Sequence, residues 1–302
     1  MSRTLVFMGS KAAGLLLCET ICELLPGCLA AIFCPDDTAD DRSVLASFSS
    51  LAEQHSIPLH VVATRVETLR WLDHYDARIA LVHGWYQIIP VDGACEFYGF
   101  HYSPLPKYRG NAPLVWQIIN GEKEIGVSFF RFSAGMDEGP LIAQAAAPLS
   151  ENENIGDALN KANELMLSLA RLHVRSLASG EIVLNPQPET GASYCGIRVP
   201  TDGRIDWHQP SKKVHDFIRA QSKPYPGAFT HDADGRVVRI WSSSLDSRQI
   251  YGVPGSIIDI GQSGVSVACG GGGVILHSVS VDRDTTWHNA AELIRSIKMR
   301  FI

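Results

Sequence analysis

The feature that most constrains the fold of this chain is a change of texture about two thirds of the way along it. Up to about residue 180, apolar runs of strand length at 5–8, 29–33, 59–62 and 79–82 alternate with the stretches 12–25, 42–55 and 66–74, where apolar residues recur at helical spacing. Continuous apolar strands separated by helices predict a parallel sheet covered on both faces. Two more apolar runs follow, 127–132 and 141–147, and a long helix over 155–177 closes the unit, with an Asn-Ile-Gly-Asp start and a Ser-Gly finish. Residues 184–202 carry Pro, Gly and Thr without periodicity and read as a linker. Beyond it, one helix at 211–220 precedes short β-like runs at 228–231, 237–241, 256–260, 264–268 and 274–281. Turns at Asp234-Gly235 and at the four glycines 270–273 separate some of these runs, so a small β-barrel-like domain is expected.

The length of 302 residues exceeds the size at which one core stops growing, which agrees with two domains. A hydrophobic fraction of 45% and a charged fraction of 19% exclude a disordered or collagen-like chain. No apolar run reaches the roughly 18–20 residues of a membrane helix. The burst at 5–8, ended by Gly9-Ser10-Lys11, is too short for a signal-peptide core, so a cytoplasmic protein is expected. Seven cysteines without any Cys-x-x-Cys predict buried free thiols rather than a disulfide or zinc framework, and no metal is indicated. The net charge of −6 divides unevenly: residues 1–200 carry 14 Lys+Arg against 22 Asp+Glu, and residues 201–302 carry 12 against 10. Neither part has the positive field expected of a nucleic-acid binder.

Gly9-Ser10-Lys11-Ala12-Ala13-Gly14 has the glycine spacing of a phosphate loop, but Leu15-Leu16 stands where the motif needs Lys-Ser/Thr. A tight strand-to-helix turn is the favoured reading. The segment 97–116 is different: it gathers His101, Ser103, three prolines, a Lys-Tyr-Arg-Gly turn and a helix start, which marks a shaped site. Downstream, Asp137 sits in a glycine-flanked loop between two apolar strands. A lone loop histidine is more often structural, but His101 and Asp137 together form a titratable pair on two loops of one α/β sheet, where ligands bind.

The stretch His101-Tyr102-Ser103-Pro104-Leu105-Pro106-Lys107-Tyr108-Arg109-Gly110, then Asn120-Gly121-Glu122, Gly126-Val127 and Met136-Asp137-Glu138-Gly139, closely resembles the folate-dependent formyltransferases. That family includes methionyl-tRNA formyltransferase and the sugar N-formyltransferases. Phe7-Met8-Gly9, His55-Ser56-Ile57-Pro58, Asp206-Trp207 and Pro224-Tyr225-Pro226-Gly227-Ala228-Phe229 extend the resemblance along most of the chain. It implies a Rossmann-like, mostly parallel-sheet formyltransferase domain over 1–185, a linker over 186–203 and an OB-like C-terminal domain over 204–302. It also implies 10-formyltetrahydrofolate as formyl donor and a primary amine as acceptor. On this resemblance His101 polarises the formyl oxygen and Asp137 moves the amine proton. Trp85, Tyr86, Gln87, Ile88 and Ile89 match the loop lining the pterin pocket, with Gly135 as a further donor contact.

One departure stands out. The family pattern is Asn-x-His, and here it is Gly99-Phe100-His101. Loss of one oxyanion donor typically costs about 10²–10³ in turnover. Three readings follow: another amide replaces it, Asn111 being the nearest, although Asn111 reads better as a helix N-cap; the missing side chain leaves room for a different acyl donor or a repositioned formyl group; or the protein binds folate without efficient transfer. Turnover assays after titration with a non-reactive folate analogue separate the last from the others, and hydrolysis of the donor by water would show as turnover without amine.

For the acceptor, the loop Cys34-Pro35-Asp36-Asp37-Thr38-Ala39-Asp40-Asp41 is acidic where methionyl-tRNA formyltransferases are basic, which disfavours tRNA. A nucleotide-linked amino sugar is the favoured acceptor, with Ser10, Lys11, Ser103, Arg109 and Asn111 as candidate substrate contacts. An amino-acid side chain such as N-hydroxyornithine is the rival, expected to show no pyrophosphate clamp. A homodimer is a candidate assembly.

Overall fold

The computed structural model describes residues 4–89, 91–282, 284 and 286–302. The chain divides into two compact units, one of residues up to 110 with 126–147 and 161–194, the other of 111–125, 148–160 and 195–302.

In chain order the first elements are β1 (Leu5–Gly9), α1 (Lys11–Leu24), β2 (Leu29–Pro35), α2 (Leu45–His55), β3 (Leu59–Val62), α3 (Arg65–His74), β4 (Ile79–His83) and β5 (Glu96–His101). They are followed by β6 (Arg109–Gly110), α4 (Pro113–Asn120), β7 (Glu124–Arg131), β8 (Leu141–Pro148), α5 (Ile155–Ser179) and β9 (Tyr194–Cys195). Seven strands form one sheet in the order β3-β2-β1-β4-β5-β7-β8. Pairings from β3 through β5 are parallel, and β5 runs antiparallel to β7. The sheet is mostly parallel, as the apolar strand pattern requires. The order reverses direction at β1, whose neighbours are β2 and β4, and such a switch point opens a crevice at the carboxyl ends of the strands.

The apolar runs explain these elements. All five residues of β1 are buried, and Val6, Met8, Ala31, Phe33, Ala80 and Val82 belong to one core cluster. Each fully buried Val, Phe or Met side chain contributes about 1.5–3 kcal/mol. Helix α3 starts in a reciprocal cap in which Thr64 accepts from the Glu67 N–H and the Glu67 carboxylate accepts from the Thr64 N–H. Strand β5 has no counterpart among the periodic runs read above, because Gly99 interrupts it. Gly9 makes the expected close strand-to-helix turn: a Cβ there would lie 2.6 Å from the His83 carbonyl oxygen.

Helix α4 corrects one expectation. Its N-cap is Ala112, at φ 49° and without a side-chain cap bond, so Asn111 does not cap it. Pro113 at the first helical position supplies the start instead.

The second unit contains α6 (Ser211–Arg219), β10 (Ala228–His231), β11 (Val237–Asp246), β12 (Ile257–Gly261), β13 (Gly264–Ala268), β14 (Gly273–Val281), β15 (His288–Asn289) and α7 (Ala290–Leu293). Its sheet is antiparallel, in the order β10-β11-β14-β13-β12, with β15 added to β14. Trp207, Ile218, Ile240, Leu276 and Phe301 are among its core residues. All seven cysteines are free; six are buried, whereas Cys28 is exposed, which corrects the reading of all seven as buried thiols. Among the described residues no helix is long and apolar enough to cross a membrane.

Candidate active site

Strand alternation places Phe97, Gly99 and His101 on one face of β5, with His101 at the carboxyl end of the strand. The His101 Nε2–H donates to the Tyr108 carbonyl at 2.7 Å. A carbonyl only accepts, so that bond assigns the Nε2 proton and leaves Nδ1 as the free valence. Nδ1 faces the Asp137 carboxylate at 3.6 Å, a separation beyond a direct hydrogen bond. Asp137 Oδ2 is itself held by the Gly110 N–H at 2.8 Å. The two predicted groups, 36 positions apart in the chain, thus converge on one spot in the first unit, and a small polar group can sit against both.

Backbone strain gathers here. Tyr108 (φ 62°) and Asp137 (φ 52°) both hold left-handed conformations, each costing about 1–2 kcal/mol for a residue with a side chain. The segment read as a linker supplies what holds them. Gln187 Nε2 donates to the carbonyls of Asp137 and Gly139, both at 2.7 Å. Ser193 Oγ accepts from the Tyr108 N–H at 2.8 Å. No periodic signal announced Gln187 or Ser193; single polar side chains in an aperiodic stretch have no sequence signature.

Arg109 is fully buried. Its Nε and Nη2 donate to Gln187 Oε1 at 3.3 and 3.0 Å, and its Nη1 donates to the Tyr194 hydroxyl at 3.0 Å, near Glu138 at 3.5 Å. It therefore clamps the Asp137 loop instead of facing a ligand, which corrects its reading as a substrate contact. Ser103, also buried, donates to the Lys107 carbonyl at 2.7 Å, inside the turn. Ser10 donates to the Gly84 carbonyl at 2.5 Å. Lys11 is bonded to Asp37 at 2.5 Å and to Asp40 at 2.9 Å. Partial burial pulls the Lys11 ammonium down, but the bonds to Asp37 and Asp40 outweigh it and hold the group above its usual value. The acidic loop is thus no merely solvated loop: Asp37 is buried and also accepts from the Ser43 hydroxyl at 2.6 Å. Asn111 falls in the second unit, with its backbone N–H on the Cys195 carbonyl at 3.1 Å.

The loop after β4 divides. Trp85, Gln87, Ile88 and Ile89 line a cavity of about 10 Å³ together with Leu72 and Phe97. Tyr86 is 60% exposed and lies toward Asp37 and Lys11. Gly135 is on the Asp137 loop, not around that cavity. Gln87 Nε2 donates to the Ala63 carbonyl at 3.3 Å, while its Oε1 is buried without a partner among the described residues.

Gly99 is filled from the side. A Cβ there would lie 2.7 and 2.8 Å from two ring carbons of Phe132 and 2.8 Å from the Val82 carbonyl oxygen. The absent side chain leaves no room beside the strand, which corrects the reading of Gly99 as space for another acyl donor. Behind the strand, burial pushes the His83 imidazole down to about 4, and its Nδ1 has no partner among the described residues.

Comparison with known proteins agrees with this layout. The fold matches an N-formyltransferase from Helicobacter canadensis in complex with folinic acid and dTDP-3-aminofucose, at 18% identity over 91% of this chain and 98% of that one, TM-score 0.69. It also matches HypX from Aquifex aeolicus in complex with tetrahydrofolic acid, at 17% identity over 98% of this chain and 48% of that one, TM-score 0.64. Methionyl-tRNA formyltransferase from Clostridium thermocellum follows, at 17% identity over 82% of this chain and 96% of that one, TM-score 0.55. Residues 199–294 match the formyl transferase C-terminal domain, and residues 5–169 match the formyl transferase domain itself. Since the latter match spans more than half of the chain, carries the His101–Asp137 pair and agrees with the mostly parallel sheet, this protein belongs to the formyl transferase family.

Proposed function

We propose that this chain transfers a formyl group from 10-formyltetrahydrofolate to the primary amine of a small acceptor, with His101 and Asp137 as the reacting pair. The observation that carries the reading is their convergence, 3.6 Å apart, at the carboxyl end of the sheet. The folate supplies an activated formyl carbonyl, on whose oxygen negative charge develops as the amine attacks. In its protonated form His101 can donate only from Nδ1, because Nε2 is committed to Tyr108. That Nδ1–H stabilises the developing oxyanion. Asp137, pinned at Oδ2 by Gly110, accepts the proton that the attacking amine loses and returns it to the folate nitrogen as the adduct collapses and the bond between that nitrogen and the formyl carbon breaks.

The residues present suit a pteridine. Gln87 Oε1 is an unpartnered buried acceptor among apolar walls, and a pteridine ring carries N–H donors that match it. The enclosed space, about 10 Å³, is water-sized, so the Trp85–Ile89 loop must give way for the ring to enter. Formyl-donor consumption measured with a panel of amines tests the reading; absence of amine-dependent turnover with every amine would reject it.

For the acceptor we take a nucleotide-linked amino sugar, by analogy with the ligand of the Helicobacter relative. One observation favours an amino-acid side chain as a second reading. Ser10, Lys11 and Arg109, the candidate phosphate contacts, and Ser103, a further candidate substrate contact of the first unit, all bond within the fold. Turnover with a dTDP-amino sugar but not with N-hydroxyornithine decides for the first.

A further inference from the structure

Strand β4 ends on a side chain that the proposed chemistry does not use. Its residues Ile79–Val82 are buried, whereas the last one, His83, is only partly so. His83 is in register with Gly9, the last residue of β1. The imidazole therefore stands at the mouth of the crevice between β1 and β4, the switch point of the sheet, and Gly9 puts no side chain beside it. The backbone there is fixed, since the Ser10 N–H donates to the His83 carbonyl at 3.2 Å. Val82 is level with Gly99, so His83 is level with Phe100, on the face of the sheet opposite Phe97. The cavity suited to the pteridine is lined by Phe97, so His83 flanks the side of the edge that the pteridine leaves free. It is near the reacting pair nonetheless. Its ring centroid is 5.2 Å from that of Tyr102, the chain neighbour of His101, and charge on His101 disfavours charge on His83.

Burial, the largest effect, keeps the imidazole neutral down to about pH 4, while the Phe100 carbonyl beside it pulls the other way. A neutral imidazole carries one donor and one acceptor nitrogen in either tautomer. The Phe100 carbonyl only accepts, so it meets the donor. Among the described residues no N–H or O–H serves the acceptor. What the ring lacks is a hydrogen-bond donor, and a ring kept neutral is the form able to receive one.

We propose that His83 is a specificity residue for the acceptor: its open nitrogen takes a hydrogen bond from a hydroxyl that the acceptor carries beside its amine. The inference rests on the formyl-transfer reading and sharpens it. Both acceptors considered above have such a group, on the ring carbons next to the amine in dTDP-3-aminofucose and on the nitrogen itself in N-hydroxyornithine. The test is steady-state transfer and calorimetric titration of the full chain with both compounds. Each is set beside its counterpart without that hydroxyl, a dTDP-3-amino sugar bare on both neighbouring carbons and ornithine, so the two pairs tell a sugar hydroxyl from an N-hydroxyl. For one pair, the wild-type protein should prefer the hydroxylated compound about tenfold in KM and Kd, the worth of one hydrogen bond. His83→Phe should abolish that preference with kcat kept within about twofold, and His83→Gln, which retains an acceptor oxygen, should restore part of it. If no amine is turned over, the formyl-transfer reading falls, and the same comparison of Kd still decides on His83. Absence of binding by both pairs, equal Kd within each pair, or a preference that His83→Phe leaves intact overturns the proposal; the wild-type arm decides even if that variant does not fold.

Discussion

Two loops at the carboxyl edge of the same sheet behave in opposite ways. After β1, Ser10 and Lys11 satisfy their polar atoms internally, on Gly84, Asp37 and Asp40. His101 at the end of β5 and Asp137 in the loop between β7 and β8 stop 3.6 Å short of each other, each with one side tied to backbone and the other side left open. The first loop has the composition of an anion site and the bonding of a brace. Both hold left-handed backbone, at Lys11 (φ 64°) and at Asp137 (φ 52°), and what sets the second apart is an unfilled valence. A reactive site is recognised by what its groups leave unbonded, and composition cannot report that.

The largest effect that would break the contrast comes from the open pair. His101→Ala and Asp137→Asn should each lower turnover about 10²-fold or more, with circular dichroism unchanged; near-normal rates in both would remove them from the chemistry. Next is acid stability. His83 is held neutral by burial, with its value lowered from 6.5 to about 4. The unfolded chain therefore takes up a proton below about pH 6.5 that the folded chain refuses until about pH 4. Stability is full above that window and falls by about 3 kcal/mol across it, read from urea midpoints against pH. His83→Phe should flatten this limb, and an unaltered acid limb would mean that other groups set it.

Gly99→Asn sharpens the comparison by crowding the open side. Its side chain would collide with Phe132, and overpacking of this kind costs about 1–3 kcal/mol. Gly99→Asn/Phe132→Ala should recover part of that stability in the same denaturation measurement; no recovery would clear Phe132 of the clash. Gln187→Leu removes both bonds to the Asp137 loop and should lower kcat by about tenfold while KM for the amine stays within a factor of about two. The smallest effect is expected at the brace. Lys11→Met should alter the acceptor KM by less than about threefold, since its charge is already neutralised by Asp37 and Asp40. A rise in KM of about 30-fold for a phosphorylated acceptor would instead make Lys11 a substrate contact.

What the sequence by itself determined was periodic or contiguous. Apolar runs and helical spacing marked β1 to β4 and their helices; in β1, β2 and β4 burial on both sheet faces demands uninterrupted apolar strands. The block from His101 to Gly110 and the Asp137 loop are contiguous motifs, and they contain the two side chains that the fold brings to 3.6 Å. Tertiary structure alone decided the rest. It placed the Phe132 ring over Gly99, turned Arg109 inward onto Gln187, and made a brace of Lys11. It also gave Ala112, not Asn111, the start of α4. The physical reason is common to all four. A side chain's polar atoms and a glycine's empty side are assigned by neighbours tens of residues away, and one chain read in order carries no signal of which neighbours those will be.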